Sequence, residues 1–137
     1  MNLVLFWILQ LTWGIIMNVI GLGAFLVLVF SGHKPRRFHQ SIYFVVGNNW
    51  GGVNLGFVTV VSKVSGESTL RHEHGHFIQN AMYGPLFPFI VAIPSMFRYH
   101  YRNYLVLKKG KKRSQLPDYD SAWFEGQATD FGYKYLK

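Results

Sequence analysis

Residues 3–30 carry no charged side chain, and their apolar positions follow neither the alternation of a half-buried strand nor the polar stripe of a surface helix. About 20 such residues cross a bilayer core as a helix, so the run predicts a transmembrane anchor over residues 1–32. A cleaved leader would start with positive charge, hold a shorter apolar region and end on a small-residue cleavage site. None of these is clear, and an uncleaved anchor fits better. Gly14, Asn18 and Gly21 fall near one face of that helix, where small residues permit close approach and an amide can bond across to another segment. They read as a packing seam and as the contact for a membrane-protein partner.

Beyond the anchor the pattern changes. Residues 41–46 and 53–61 are rich in β-branched and aromatic side chains and flank Gly47-Asn48-Asn49-Trp50-Gly51-Gly52, which is dense in turn formers. Together they predict a β-hairpin with a generous loop. Residues 65–68 break the strand pattern, Ser68 offers an N-cap, and a helix is predicted from Thr69 to the stop at Gly84-Pro85. Residues 83–97 are again uncharged, but Pro85, Pro88 and Pro94 remove backbone donors and disfavour a continuous helix. This short segment is expected to be re-entrant, dipping into the membrane and returning, or to be interfacial. A last, C-terminal helix over residues 122–135 is predicted after Pro117-Asp118-Tyr119-Asp120, capped by Asp120 or Ser121. The expected architecture is an α+β membrane protein, with the anchor over 1–32 and a small membrane-associated domain over 33–137.

Charge refines this picture. Fourteen basic residues against six acidic give a formal net charge of +8. The basic residues cluster after apolar segments: Lys34, Arg36 and Arg37 after the first, and Arg98, Arg102, Lys108, Lys109, Lys111, Lys112 and Arg113 after the second. Such clusters mark the cytoplasmic side of a membrane and contact anionic lipid headgroups. No nucleic acid is expected as a partner, because Tyr99, Tyr101 and Tyr104 between the charges suit a membrane interface next to an apolar segment. The chain has no cysteine, which excludes disulfides, thiolate metal sites and a cysteine nucleophile.

The chemistry is concentrated in His72-Glu73-His74-Gly75-His76. On a helix His72 and His76 lie one turn apart on one face and can share a Zn²⁺, while Glu73 can act as general base on a metal-bound water. His74 lies about 200° around the helix from the pair. It is expected to pack or hydrogen-bond rather than bind metal. Catalytic zinc takes a third protein ligand. A metzincin would place a histidine at the position of Met82 and a glycine at that of Gln79, so that class is excluded. Glu125 is the favoured third ligand, because Ala128 and Gly132 on its helix would permit close packing against the helix carrying Gly75. Asp118 and Asp120 read as turn and cap residues, and Asp130 as an acceptor orienting His72 or His76. His100 reads as an interfacial residue, and Gln79 either lines the site or is an exposed helical amide.

The motif and the uncharged residues around it resemble the zinc peptidases. Glu125-Gly126-Gln127-Ala128-Thr129-Asp130 resembles the Glu-x-x-Ala-Asp element with which gluzincins supply a third ligand and a neighbouring acid. Here Thr129 stands where that acid would be. A wider set of segments is similar to a group of small bacterial membrane proteins: Gly47-Asn48-Asn49-Trp50-Gly51-Gly52, Arg71-His72-Glu73-His74-Gly75-His76-Phe77-Ile78-Gln79, Gly84-Pro85-Leu86 and Ile93-Pro94-Ser95. The resemblance to that group supplies no substrate. The expected function is a membrane-anchored zinc metallopeptidase acting on a peptide or membrane-protein substrate, in a bacterial inner membrane with the basic segments cytoplasmic. The alternative is a non-catalytic membrane-complex subunit with a structural metal site or polar network.

Overall fold

The computed structural model describes residues 1–136. The architecture is α+β. Helices α1 (Leu3–Leu11) and α2 (Ile15–Phe30) precede four strands, β1 (Arg36–Phe38), β2 (Ser41–Val45), β3 (Gly52–Leu55) and β4 (Val58–Val61). Helix α3 (Glu67–Tyr83) follows, then a 3₁₀ turn (Gly84–Leu86), a π turn (Pro88–Ala92), α4 (Ile93–Leu107), two further 3₁₀ turns and α5 (Trp123–Lys134).

The N-terminal apolar run is two helices and not one. They meet at an 83° bend. Trp13 and Gly14, at the elbow, are held by the end of α3: the Trp13 indole donates to Met82 O at 3.3 Å, and Asn80 Nδ2 donates to Gly14 O at 2.9 Å. Gly14, Asn18 and Gly21 are buried against this chain's own elements. Asn18 Oδ1 accepts from Phe57 N at 2.9 Å, and a Cβ on Gly21 would overlap the Leu55 carbonyl. No single helix among the described residues is long and apolar enough to cross a membrane, although two bent pairs have the length and composition together.

The expected hairpin is also rearranged. Residues 53–61 do not form one strand: Gly56, at φ +66°, turns the chain between β3 and β4, which pair antiparallel with Leu55 opposite Val58. Strand β2 pairs with β4 in parallel, Ile42 opposite Val58, and the sheet order is β1-β2-β4-β3. The central position of β4 accounts for its composition, since a strand covered on both faces reads as a continuous apolar run. All four of its residues are buried. Val58 and Val60 join Phe44 in a cluster with Phe25 and Leu28 of α2, while α3 packs against β3 and β4.

Helix α3 occupies the centre of the molecule, between the sheet, α1 and α5. Residues 73–81 are therefore buried in unbroken succession despite their polarity. It begins at Glu67 with Gly66 in the N-cap position, two residues before the predicted start, and ends at Gly84 as predicted. The segment after it is helical in spite of its prolines and turns by 118° into α4. Pro88 and Pro94 sit in the first turns of the π turn and of α4, where no intrahelical donor is needed.

Candidate metal centre

The second and third turns of α3 carry His72 and His76, and the first turn of α5 carries Glu125. The two helices approach closely enough to bring them together because both are small at the contact. A Cβ on Gly75 would overlap the carbonyl of Ala128, and one on Gly132 would overlap the carbonyl of Arg71. His72 Nε2 lies 3.5 Å from Glu125 Oε2 and His76 Nε2 lies 3.3 Å from Glu125 Oε1. One ligand atom from each residue falls within 4.8 Å of the others, close enough to hold a metal ion. Glu125 thus lies beside both imidazoles, close enough to complete a group that could hold a metal ion.

The other ring nitrogens are already engaged. His72 Nδ1 is 2.8 Å from Thr129 Oγ1, and His76 Nδ1 is 2.7 Å from Gln79 Oε1. An amide oxygen only accepts, so His76 carries its proton on Nδ1 and turns a lone pair, at Nε2, towards a carboxylate oxygen. Two acceptors face each other across 3.3 Å. Nearby, His72 Nε2 and Glu125 Oε2 are buried with no hydrogen-bond partner. The lone pair of His76 Nε2 and the carboxylate oxygen it faces need a cation between them, a proton or a metal ion.

The electrostatics follow from the same contacts. Burial alone would raise the Glu125 carboxyl, but the imidazoles of His72 and His76 beside it outweigh burial and hold the group well below the usual carboxylate range. Burial lowers the His76 imidazole, while the adjoining Glu125 carboxylate and the charge of Glu73 raise it above its ordinary value. Glu73 is pushed up, chiefly by burial, with His76 and His72 opposing. A carboxyl raised in this way is suited to taking up a proton.

His72 and Glu73 open onto a cavity of about 380 Å³ that is also lined by Gly51, Gly52, Tyr99 and Tyr119. Strand β3 is at the edge of the sheet, and its Gly52 lies against Glu73 closely enough that a Cβ would sit 3.2 Å from Glu73 Cγ. The Tyr119 phenol is raised by burial and by the charge of Glu125, so it stays a hydrogen-bond donor.

His74 is separate from the pair, as its position on the helix requires. Its Nδ1 is 3.0 Å from Ser41 Oγ, on β2. Asp118 N-caps a 3₁₀ turn, Asp120 is on the cavity wall 3.9 Å from His72 Nδ1, and His100 is exposed on α4. Asp130 is exposed and does not orient either histidine; Thr129 does. The signal was the displacement of the acid by Thr129 in the gluzincin-like element. Gln79 is buried and orients His76, with Nε2 donating to Phe124 O and Gln127 Oε1. Ser95, which donates to Glu125 Oε1 at 2.8 Å, left no signal in the sequence.

No family model, curated protein or solved structure matches the chain, so any functional reading rests on this site and its surroundings.

Proposed function

We propose that the protein is a membrane-anchored zinc metallopeptidase. The observation that carries the reading is the convergence of His72, His76 and Glu125 as acceptors beside a buried, proton-accepting Glu73 at the wall of a cavity. The donor set fits zinc. Two ligands on a tetrahedral ion with bonds of about 2.1 Å are roughly 3.4 Å apart. The imidazoles stand 3.3 and 3.5 Å from the two different oxygens of Glu125, and one ligand atom from each of the three residues lies within 4.8 Å of the others. Neutral imidazoles with their second nitrogen engaged, plus one carboxylate, are the ligand chemistry zinc takes.

When bound, Zn²⁺ supplies a Lewis acid that polarises a peptide carbonyl and acidifies a water. The chain's own residues do the rest. Glu73 receives the proton of the attacking water on its carboxylate and passes it to the departing amine. Tyr119 offers its hydroxyl to the oxygen on which charge develops. Edge strand β3, with Gly51 and Gly52 bare of side chains at the cavity, offers main-chain groups to an extended substrate peptide. Thr129 and Gln79 hold the imidazoles in orientation.

The resemblance to gluzincins and to small bacterial membrane proteins agrees with this reading, as do the exposed apolar faces of α1 and α2, which include Val4, Ile8, Val19, Val27 and Phe30. The bacterial inner membrane, with the basic segments cytoplasmic, is the location proposed.

Glu73→Gln tests the chemistry. It is expected to keep zinc at the wild-type stoichiometry, measured by elemental analysis, and to lose peptide hydrolysis by roughly 10²–10⁴-fold. Unchanged hydrolysis would remove Glu73 as the base. Zinc retention by a wild type inactive on any peptide would favour the rival reading, a structural metal site in a membrane complex. A wild type that holds no metal would sink both.

A further inference from the structure

Helix α4 has two unlike faces. Ser95, Arg98, Tyr99 and Arg102, at i, i+3, i+4 and i+7, form one stripe and face the metal centre. Ser95 donates to Glu125 Oε1, and the Tyr99 hydroxyl accepts from Gly51 N at 3.3 Å. Arg98 and Arg102 stack on the Tyr119 ring at 5.1 and 5.5 Å and donate to the Asp118 and Pro117 carbonyls. The opposite stripe is Ile93, Met96, Phe97, Tyr104 and Leu107, interrupted only by His100. It covers nothing in this chain: Phe97 is 68% and Leu107 78% exposed, and no residue of α4 is buried. Exposed Phe89 and Leu86 extend the apolar surface towards α3.

An apolar stripe of this length on a single helix has three candidate occupants, a membrane, a partner protein and a second copy of the chain. The charge beside it selects the first. The stripe runs straight into Lys108, Lys109, Lys111, Lys112 and Arg113, all exposed, and no acidic residue occurs between Glu73 and Asp118. A second copy would bring an identical basic run against this one or leave it unpaired. An anionic lipid surface satisfies both parts, with acyl chains for the apolar side chains and headgroups for the basic ones. Tyr101 and Tyr104, exposed beside the stripe, have the amphipathic character favoured at that depth.

We propose that α4 is a membrane-docking helix: its outer stripe seats in the interface of an anionic bilayer while its inner stripe holds Glu125, Tyr119 and Gly51 at the cleft. The cleft then opens beside the bilayer, and its substrate is a peptide segment at the membrane surface. This last step rests on the peptidase reading; the docking does not.

The absence of cysteine makes the docking directly measurable. The full chain with Phe97→Cys, or with Val64→Cys in the exposed segment before α3, carries an environment-sensitive fluorophore and is reconstituted into vesicles of phosphatidylcholine mixed with phosphatidylglycerol. The label at 97 is expected to be quenched by brominated lipid and shielded from iodide, and the label at 64 to show the reverse. Lys111→Gln with Lys112→Gln is expected to shift the docked-to-undocked ratio roughly 30-fold towards undocked, at about fivefold per charge. A label at 97 open to iodide in these vesicles overturns the proposal. So does shielding that brominated lipid does not quench and that grows with protein concentration, which would assign the stripe to a second copy. With docking established, a vesicle-tethered peptide is expected to be cleaved faster than the same peptide free; equal rates overturn the substrate assignment alone. No cleavage of either removes the peptidase reading and that assignment, and leaves the docking of α4 standing.

Discussion

At the C-terminal end of α3 the buried amides of Gln10, Asn18 and Asn80 meet donor to acceptor, whereas one turn earlier His76 Nε2 and the Glu125 carboxylate meet acceptor to acceptor. In the amide cluster Gln10 Nε2 donates to Phe77 O at 2.7 Å, Asn18 Nδ2 and Asn80 Nδ2 both donate to Gln10 Oε1 at 2.8 Å, and Asn18 Oδ1 accepts from Phe57 N. Only Asn80 Oδ1 is left without a partner there. Apart from that one oxygen this cluster is satisfied within the chain, and it fixes the elbow between α1 and α2 against α3. The histidine cluster is incomplete within the chain. Both are buried and polar, so burial does not distinguish structure from function here; the sign of the groups that face each other does.

The contrast can be broken at either end. The largest effect is expected from Glu125→Ala. In the wild type, zinc at roughly a thousandfold excess over its Kd should add about 4 kcal/mol to stability, and the variant should lose that increment in thermal unfolding with and without zinc. Asn18→Leu is expected to act oppositely. It leaves the Phe57 N–H without its acceptor and should cost about 1–3 kcal/mol in denaturant unfolding, with the zinc-induced increment unchanged. If Asn18→Leu also abolished zinc binding, the two clusters would be one.

A finer distinction lies between Thr129 and Asp130. Thr129→Val keeps the volume and removes the partner of His72 Nδ1, so zinc affinity in a competition titration should fall about 10–100-fold, or roughly 1.4–2.7 kcal/mol. Asp130→Asn should leave it unchanged. The smallest effect concerns His74, which burial, with the charge of His39 assisting, holds at a pKa of about 3 against an ordinary 6.5. The folded protein keeps it neutral through that window while the unfolded chain binds a proton, so its contribution to stability is lost as pH falls. Lowering the pH from 6.5 to 5.5 should cost about 1 kcal/mol from this residue. Urea unfolding of wild type and His74→Gln at both pH values measures the difference.

Much of the centre was legible because it is local. His72, Glu73 and His76 share a helix, and a helix fixes the relation of i to i+4 wherever it lies. The same arithmetic set His74 apart. Glu125 was reachable by a longer step: few acids are available, and Ala128 and Gly132 signal a close helix contact. The orienting residues were harder. Thr129 and Gln79 stand in motif positions, but an amide or hydroxyl on a helix looks the same whether it faces solvent or an imidazole. Ser95 depends on a 118° turn after α3 that no local pattern encodes.

The strands show the same boundary. β-branched and aromatic runs marked where strands lie, and Gly56 inside one of them was the only trace of the turn that divides it. That β2 pairs with β4 in parallel is a matter of which surfaces remain to be covered once α2 and α3 take opposite faces of the sheet. The N-terminal apolar run likewise determined helix by its composition, but not its break, which depends on Asn80 reaching Gly14 from 66 positions away. By itself the sequence determined α3, α5, the regions where strands lie and the pair of imidazoles with its neighbouring carboxylate, because periodicity and side-chain chemistry act over a few residues. The tertiary structure alone decided the elbow, the strand partners and the turning of two imidazoles towards one carboxylate, because these depend on distant groups being buried together.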